Sequence, residues 1–171
     1  LMFSRDIDRE TLHGNKAVDT LNFPSNEAEL LGFNTQSPLL SQKEMRQAIA
    51  WAVDVTELLD YVYYNSGVLS DSLYYPGYLK TENLGDPYEC DPERARTLLR
   101  EMGYSDENGG YFRDSEGTLL TVTLMVNEGS ALRREAASLI QSQLAEAGID
   151  CQLQFLEWGA YQAALNHRNF Q

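Results

Sequence analysis

Apolar residues recur at helical intervals over Met45, Ala48, Ile49, Ala52 and Val53, while Lys43, Arg46 and Gln47 fall on another face, so the chain from Lys43 predicts a helix lying on a core. Ser41 stands three residues before Glu44, the spacing of a reciprocal capping box, which is expected to start that helix. Asp54 and Glu57 repeat the spacing and predict a second helix with Leu58, Leu59 and Val62 buried. Upstream, Val18, Leu21 and Phe23, then Ala28, Leu30, Leu31 and Phe33, flank Pro24-Ser25-Asn26 and predict two strands around a turn. Asn34 ends the second strand. Its amide is expected to hold the following loop by local backbone bonds, with a ligand contact as its second reading.

Downstream, Asp91-Pro92-Glu93 opens a helix with a capping Asp, a proline at the first helical position and an acid complementing the dipole. Ala95, Leu98, Leu99 and Met102 form its apolar side and Gly103 its stop. Asn108-Gly109-Gly110 reads as a turn, and Tyr111 to Arg113 as a short strand before a hairpin turn at Asp114-Ser115-Glu116-Gly117. That turn lacks the register and the closing Glu of a calcium loop. Thr118 to Val126 reads as a strand, Ser130 as the cap of a helix running through Ala147, and Ile149, Cys151, Leu153 and Phe155 as the inner side of a further strand. Strand, helix and strand with short joints predict a right-handed βαβ unit with parallel strands.

The stretch 61–90 departs from both periods. Tyr61, Tyr63, Tyr64, Tyr74, Tyr75 and Tyr78 are interrupted by Gly67, Pro76, Gly77 and Gly85, which predicts a structured Tyr-rich loop whose rings roof the core or wall a ligand site.

Composition narrows the function. With 13 Lys plus Arg against 26 Asp plus Glu the formal charge is −13, a surface that repels phosphate backbones, so no nucleic-acid partner is expected. Apolar residues make up 43% of the 171 and charged residues 23%, enough for one packed domain or one lobe of something larger. The longest apolar run, Ala48 to Val53, is far short of the roughly 20 residues of a spanning helix. Leu1 to Glu10 lacks the basic and apolar regions of a secretory leader, which leaves a cytosolic protein or an internal piece of an exported one. Cys90 and Cys151 are too few for a disulfide framework, and two free thiols are the expected state. His13 and His167 lack partners at metal or catalytic spacing and no Gly-rich phosphate motif is present, so neither a metal, a cofactor nor an enzyme is expected.

Three stretches carry a more specific resemblance. LGFNT followed by a proline and MRQAIAWAVDVTELL, then DPERARTLLREMGY, then AGIDCQLQFLEWGAYQAAL, resemble in order the LxFNT and RQAxxxAxD, DPxxAxxLLxxxGY and GIxVxLxxxEWxxYxxxL motifs of the family 5 extracellular solute-binding proteins, the peptide- and nickel-binding receptors of ABC importers. The resemblance implies an α/β fold, a class II periplasmic-binding-protein-like lobe with a mixed sheet, a right-handed βαβ unit and flanking helices. Residues 1–171 would then be a single lobe of a two-lobed receptor. It implies a monomeric, extracellular or periplasmic receptor, anchored as a lipoprotein. The receptor would take a peptide or another small solute, nickel complexes, sugars and opines included, by hinge closure and pass it to an ABC permease.

Among site residues, the resemblance implies that Trp158 faces the cargo and that Tyr75 and Tyr78 run along the cleft wall. Asn127 and Arg133 border the cleft in the loop and first helical turn after the preceding strand, although Arg133 also reads as a solvated helix residue. A ligand-sensing domain of a regulator built on the same fold is the alternative.

Overall fold

The computed structural model describes residues 27–69 and 88–171, so the predicted strand at 17–23 and the residues Tyr74, Tyr75 and Tyr78 lie outside the described residues. Helix α1, Lys43–Ala52, presents Met45, Ala48, Ile49 and Ala52 to the core as its periodicity predicts. Its start differs from the expected capping box. The N-cap is Gln42 with no side-chain cap, because the Ser41 hydroxyl instead donates to the Pro38 carbonyl at 2.8 Å. The Arg46 guanidinium donates to the carbonyls of Leu40 and Ser41, closing the turn from the other side.

Asp54 does cap the next element, α2 (Val55–Glu57), accepting from the amides of Thr56 and Glu57. The helix then widens into a π-helical turn over Leu58–Val62, in which Val62 is buried and Leu58 and Leu59 half-buried. Helix α3, Pro92–Glu101, starts as read from sequence: the Asp91 carboxylate accepts from the Arg94 amide and Pro92 occupies the first turn. It packs against α1, and the Asp91 amide donates to the Trp51 carbonyl at 2.8 Å, tying the end of α1 to the start of α3.

Two short strands, β1 (Ser105–Asp106) and β2 (Phe112–Arg113), pair antiparallel. Strand β3 (Thr121–Asn127), helix α4 (Ala131–Glu146) and strand β4 (Asp150–Leu156) form the βαβ unit. β3 and β4 are parallel, in register from Thr121 opposite Asp150 to Asn127 opposite Leu156. Among the described residues the parallel and antiparallel pairings belong to two separate two-stranded sheets, with an isolated bridge from Arg113 to Leu119 between them. The final helix, α5 (Trp158–Asn166), packs against β3.

The predicted strand over Ala28 to Phe33 does not form. Residues 27–33 have no regular secondary structure, with Leu30 and Leu31 exposed. Alternation marks which side chains would share a face, but a strand also needs a backbone partner, and no described strand pairs with this segment.

Between the helices and the sheets lies one core that includes Met45, Ile49, Leu99, Phe112, Leu144 and Ile149. The largest fully buried side chains, Phe112, Met45, Leu99 and Ile149, are each worth roughly 1.5–3 kcal/mol of burial. One cation sits inside this apolar shell. Arg96 is 5% exposed and lies over the Phe112 ring, donating to Asp106 at 2.5 Å and to the carbonyls of Gly110 and Glu146. Both cysteines are free, and burial pushes the Cys151 thiol up to about 11. No helix among the described residues is long and apolar enough to cross a membrane.

Candidate functional site

The carboxyl ends of β3 and β4 lie side by side, and in open α/β sheets ligands gather at such ends. Local sequence sets how the chain leaves each strand there. After β4, Glu157 acts as N-cap of α5, its carboxylate accepting from the Gly159 amide at 3.0 Å. The cap makes Trp158 the first helical residue, and the indole is 52% exposed. One turn on, Tyr161 occupies the neighbouring position on the same helix face, and the two rings stack with centroids 6.0 Å apart and planes 20° apart.

Asn127, expected in the loop, is instead the last residue of β3, paired with Leu156, and is buried. Its Nδ2 donates to the Leu156 carbonyl at 3.5 Å and its Oδ1 accepts from the Gly129 amide at 3.2 Å. The Glu128 amide also donates to Leu156, at 2.9 Å, so these bonds join the two strand ends and set the course of the loop into α4. Ser130 caps that helix as predicted, accepting from the Arg133 amide at 3.3 Å.

Arg133 leaves the first turn of α4 and meets Glu29 in a forked ion pair. Its Nε lies 3.1 Å from both carboxylate oxygens and its Nη2 2.8 Å from Oε1. Glu29 holds the guanidinium more firmly protonated than usual, and Tyr63 and Tyr161 both lie within electrostatic reach of it. Half-burial raises the Tyr63 phenol above its ordinary range, and the Glu29 carboxylate adds to the rise. Beyond the carboxyl ends of β3 and β4 the structure thus places two stacked rings at the start of α5 and, in the first turn of α4, the Arg133 guanidinium paired with Glu29.

Asn34 has another place. Its Oδ1 accepts from the Gln36 amide at 3.1 Å, the local bond expected from sequence. Its Nδ2 donates to the carbonyls of Arg168 and Phe170 at 3.1 and 2.8 Å. The LGFNT motif therefore clamps the segment that follows α5, a contact across 134 residues that no local pattern announces. The Gln171 side chain continues that segment onto β3, accepting from the Thr123 amide at 2.6 Å. A cleft of about 380 Å³ between Phe33, Gln36 and Leu165 lies beside this clamp. A second, of about 350 Å³, runs along Leu156, Ala160 and Ala164. Trp158 and Arg133 line neither.

Sequence reasoning singled out Trp158 and Arg133 but missed Glu29, and it gave Tyr161 no role beyond its place in the EWxxYxxxL motif. Periodicity carries no signal for a pair 104 residues apart. Of the Tyr-rich loop, Tyr61 and Tyr64 are exposed, Tyr63 joins the Arg133 cluster, and Tyr88 packs at 5.7 Å from Trp51. Among the described residues no group of His, Cys, Asp or Glu is arranged to hold a metal ion.

Comparison with known proteins agrees with the motifs. Residues 3–171 match the family model of bacterial extracellular solute-binding proteins, family 5 middle region. The oligopeptide-binding protein AppA of Bacillus subtilis is 28% identical over 145 residues, covering 82% of this chain and 26% of AppA. The solved structure of AppA with a nonapeptide superposes with a TM-score of 0.68 over 78% of this chain and 27% of that one, at 28% identity. NikA of Brucella suis, solved with Fe(III)-EDTA, gives a TM-score of 0.71 at 27% identity, over 80% of this chain and 28% of NikA. The chain thus spans about a quarter of the length of the relatives it matches. With matching motifs, an α/β fold of the class II binding-protein type and a family match over nearly its whole length, the chain belongs to the family 5 bacterial extracellular solute-binding proteins.

Proposed function

We propose that this chain is one lobe of the solute-binding receptor of an ABC importer, non-enzymatic, working outside the cytoplasmic membrane and held there as a lipoprotein in the full-length protein. The observation that carries the reading is the arrangement at the carboxyl ends of β3 and β4, after which α5 opens with the exposed Trp158–Tyr161 stack and the first turn of α4 carries Arg133. An exposed aromatic wall binds the apolar part of a solute with little loss of side-chain entropy, and a forked cation fixes a polar end.

Closure of a second lobe over this face would bury the solute and present the closed form to a membrane permease. The cargo class is a peptide or another small solute. AppA was solved with a nonapeptide and NikA with Fe(III)-EDTA. Trp158 and Arg133 are the contacts proposed first. Tyr75 and Tyr78 are proposed as further wall residues. Asn127 shapes the site through the backbone bonds that it makes, whereas Asn34 holds the segment after α5 and is proposed only as a secondary contact.

Titration calorimetry of the full-length protein with short peptides tests the reading. Peptide binding in the micromolar range or tighter, weakened at least about tenfold by Trp158→Ala, is the expected result, since hot-spot aromatics cost about 2 kcal/mol or more on truncation. No binding of peptides or metal chelates by the full-length protein, or undiminished affinity in Trp158→Ala, would refute it.

A further inference from the structure

The Glu29–Arg133 pair is the feature of this face that the fold does not require. Its geometry is the side-on fork that a guanidinium offers to any carboxylate, with three contacts between 2.8 and 3.1 Å. Yet the two side chains remain 43% and 49% exposed. An ion pair this wet is worth at most about 1 kcal/mol, because both charges keep most of their hydration and both side chains lose rotamer freedom.

Glu29 also stands on the irregular segment 27–33, which pairs with no strand among the described residues. Arg133, by contrast, is fixed in the first turn of a 16-residue helix whose cap bonds its own amide. One partner is built into a long helix, and the other stands on a segment without regular secondary structure. Tyr63 and Tyr161 lie within electrostatic reach of the fixed partner, and Tyr161 stacks on the exposed Trp158.

We propose that Arg133 is a carboxylate-docking site that the protein's own Glu29 fills when no solute is bound, and that an incoming carboxylate takes the guanidinium by displacing Glu29. The proposal rests on the reading of this face as solute-facing. Exchange of one carboxylate for another keeps every charge-assisted hydrogen bond, so the step costs little beyond the loss of the weak pair itself. With Glu29 in residence, only a ligand that adds apolar contact on Trp158 and Tyr161 to its carboxylate displaces the resident group. The solute class is therefore an apolar-bodied carboxylate, such as a peptide with a free carboxyl terminus.

The test uses the full-length protein and two probes, trialanine and trialanine amide. Glu29→Gln is expected to tighten binding of trialanine by about two- to fivefold, the loss of a competitor worth up to about 1 kcal/mol, and to leave the amide unchanged. Arg133→Gln is expected to erase the preference for the free acid. Equal affinities for trialanine in wild type and Glu29→Gln would overturn the exchange while leaving the receptor reading intact.

If wild type binds neither peptide, peptide capture fails as the function, and the arginine Nε–H resonance of Arg133 still decides the exchange. In Glu29→Gln that signal should move toward the position of a free guanidinium and return on titration with acetate. A signal that ignores both the substitution and acetate would sink the proposal.

Discussion

Gln143 in the last turn of α4 does for Asp54 what a capping box was expected to do. The Gln143 Oε1 accepts from the Asp54 amide at 3.2 Å, and its Nε2 donates to the Glu57 carboxylate at 2.7 Å and to the Asp54 carbonyl at 3.4 Å. In a reciprocal box Glu57 would take the Asp54 amide itself. Here a side chain from another helix stands between them, and the start of α2 is pinned to the βαβ unit. Gln143 is buried, so Gln143→Leu, which keeps the bulk and removes the amide, should lower the urea-unfolding free energy by about 1–3 kcal/mol through unpaired groups at Asp54 and Glu57. An unchanged midpoint would show that water replaces the amide.

Asp106 gives the fold an acid-sensitive joint. Hydrogen bonds from Arg100 and then from Arg96 hold its carboxyl below the usual carboxylate range. A carboxylate depressed on folding stabilises the native state above its unfolded pKa, and that stability is lost as pH falls through the lower folded value. Unfolding free energy should therefore be independent of this group above about pH 5 and decline below about pH 4. Asp106→Asn should be less stable at neutral pH, since the buried Arg96 loses its counter-charge, and should lack this part of the acid slope. Unfolding measured from pH 3 to pH 7 in both proteins decides it.

Gly148 and Gly103 follow the carboxyl ends of α4 and α3 with φ of +80° and +95°. A Cβ at Gly148 would lie 2.6 Å from Arg96 Nη1, 2.8 Å from the Phe112 ring and 2.9 Å from the Gly110 carbonyl, whereas at Gly103 it would meet nothing within 4 Å. Gly103→Ala should cost only the left-handed backbone penalty, about 1–2 kcal/mol. Gly148→Ala should cost clearly more, because it also drives the Arg96–Phe112 stack apart. Equal thermal shifts for the two variants would contradict the contacts.

Asn34→Asp separates the two jobs of that side chain. An aspartate still accepts from the Gln36 amide but has no hydrogen to donate to Arg168 and Phe170. The variant should lose about 1–2 kcal/mol, and amides from Arg168 to Gln171 should exchange faster with solvent while those of α1 stay protected. Unchanged exchange at 168–171 would mean that the Thr123–Gln171 bond holds the segment alone.

By itself the sequence determined what depends on neighbours in the chain. Asp91 and Pro92 open α3, Ser130 opens α4, Gly103 and Gly148 stop them, and the apolar period of α1 picks Met45, Ala48, Ile49 and Ala52 for the core, because caps and helix faces are set within a few residues. The βαβ order likewise predicted the parallel register of β3 and β4.

Only the tertiary structure decided what depends on distant partners. It denied residues 28–33 a strand, turned the Ser41 hydroxyl to Pro38, and gave the polar Gln143 and Arg96 buried places where Asp54, Glu57, Asp106 and backbone carbonyls satisfy them. Trp158 and Arg133 stand out in the sequence as separate candidates. Their placement at neighbouring strand ends, and the Glu29 carboxylate resting on the guanidinium, arise from elements far apart in the chain, and local periodicity holds no record of which of them come together.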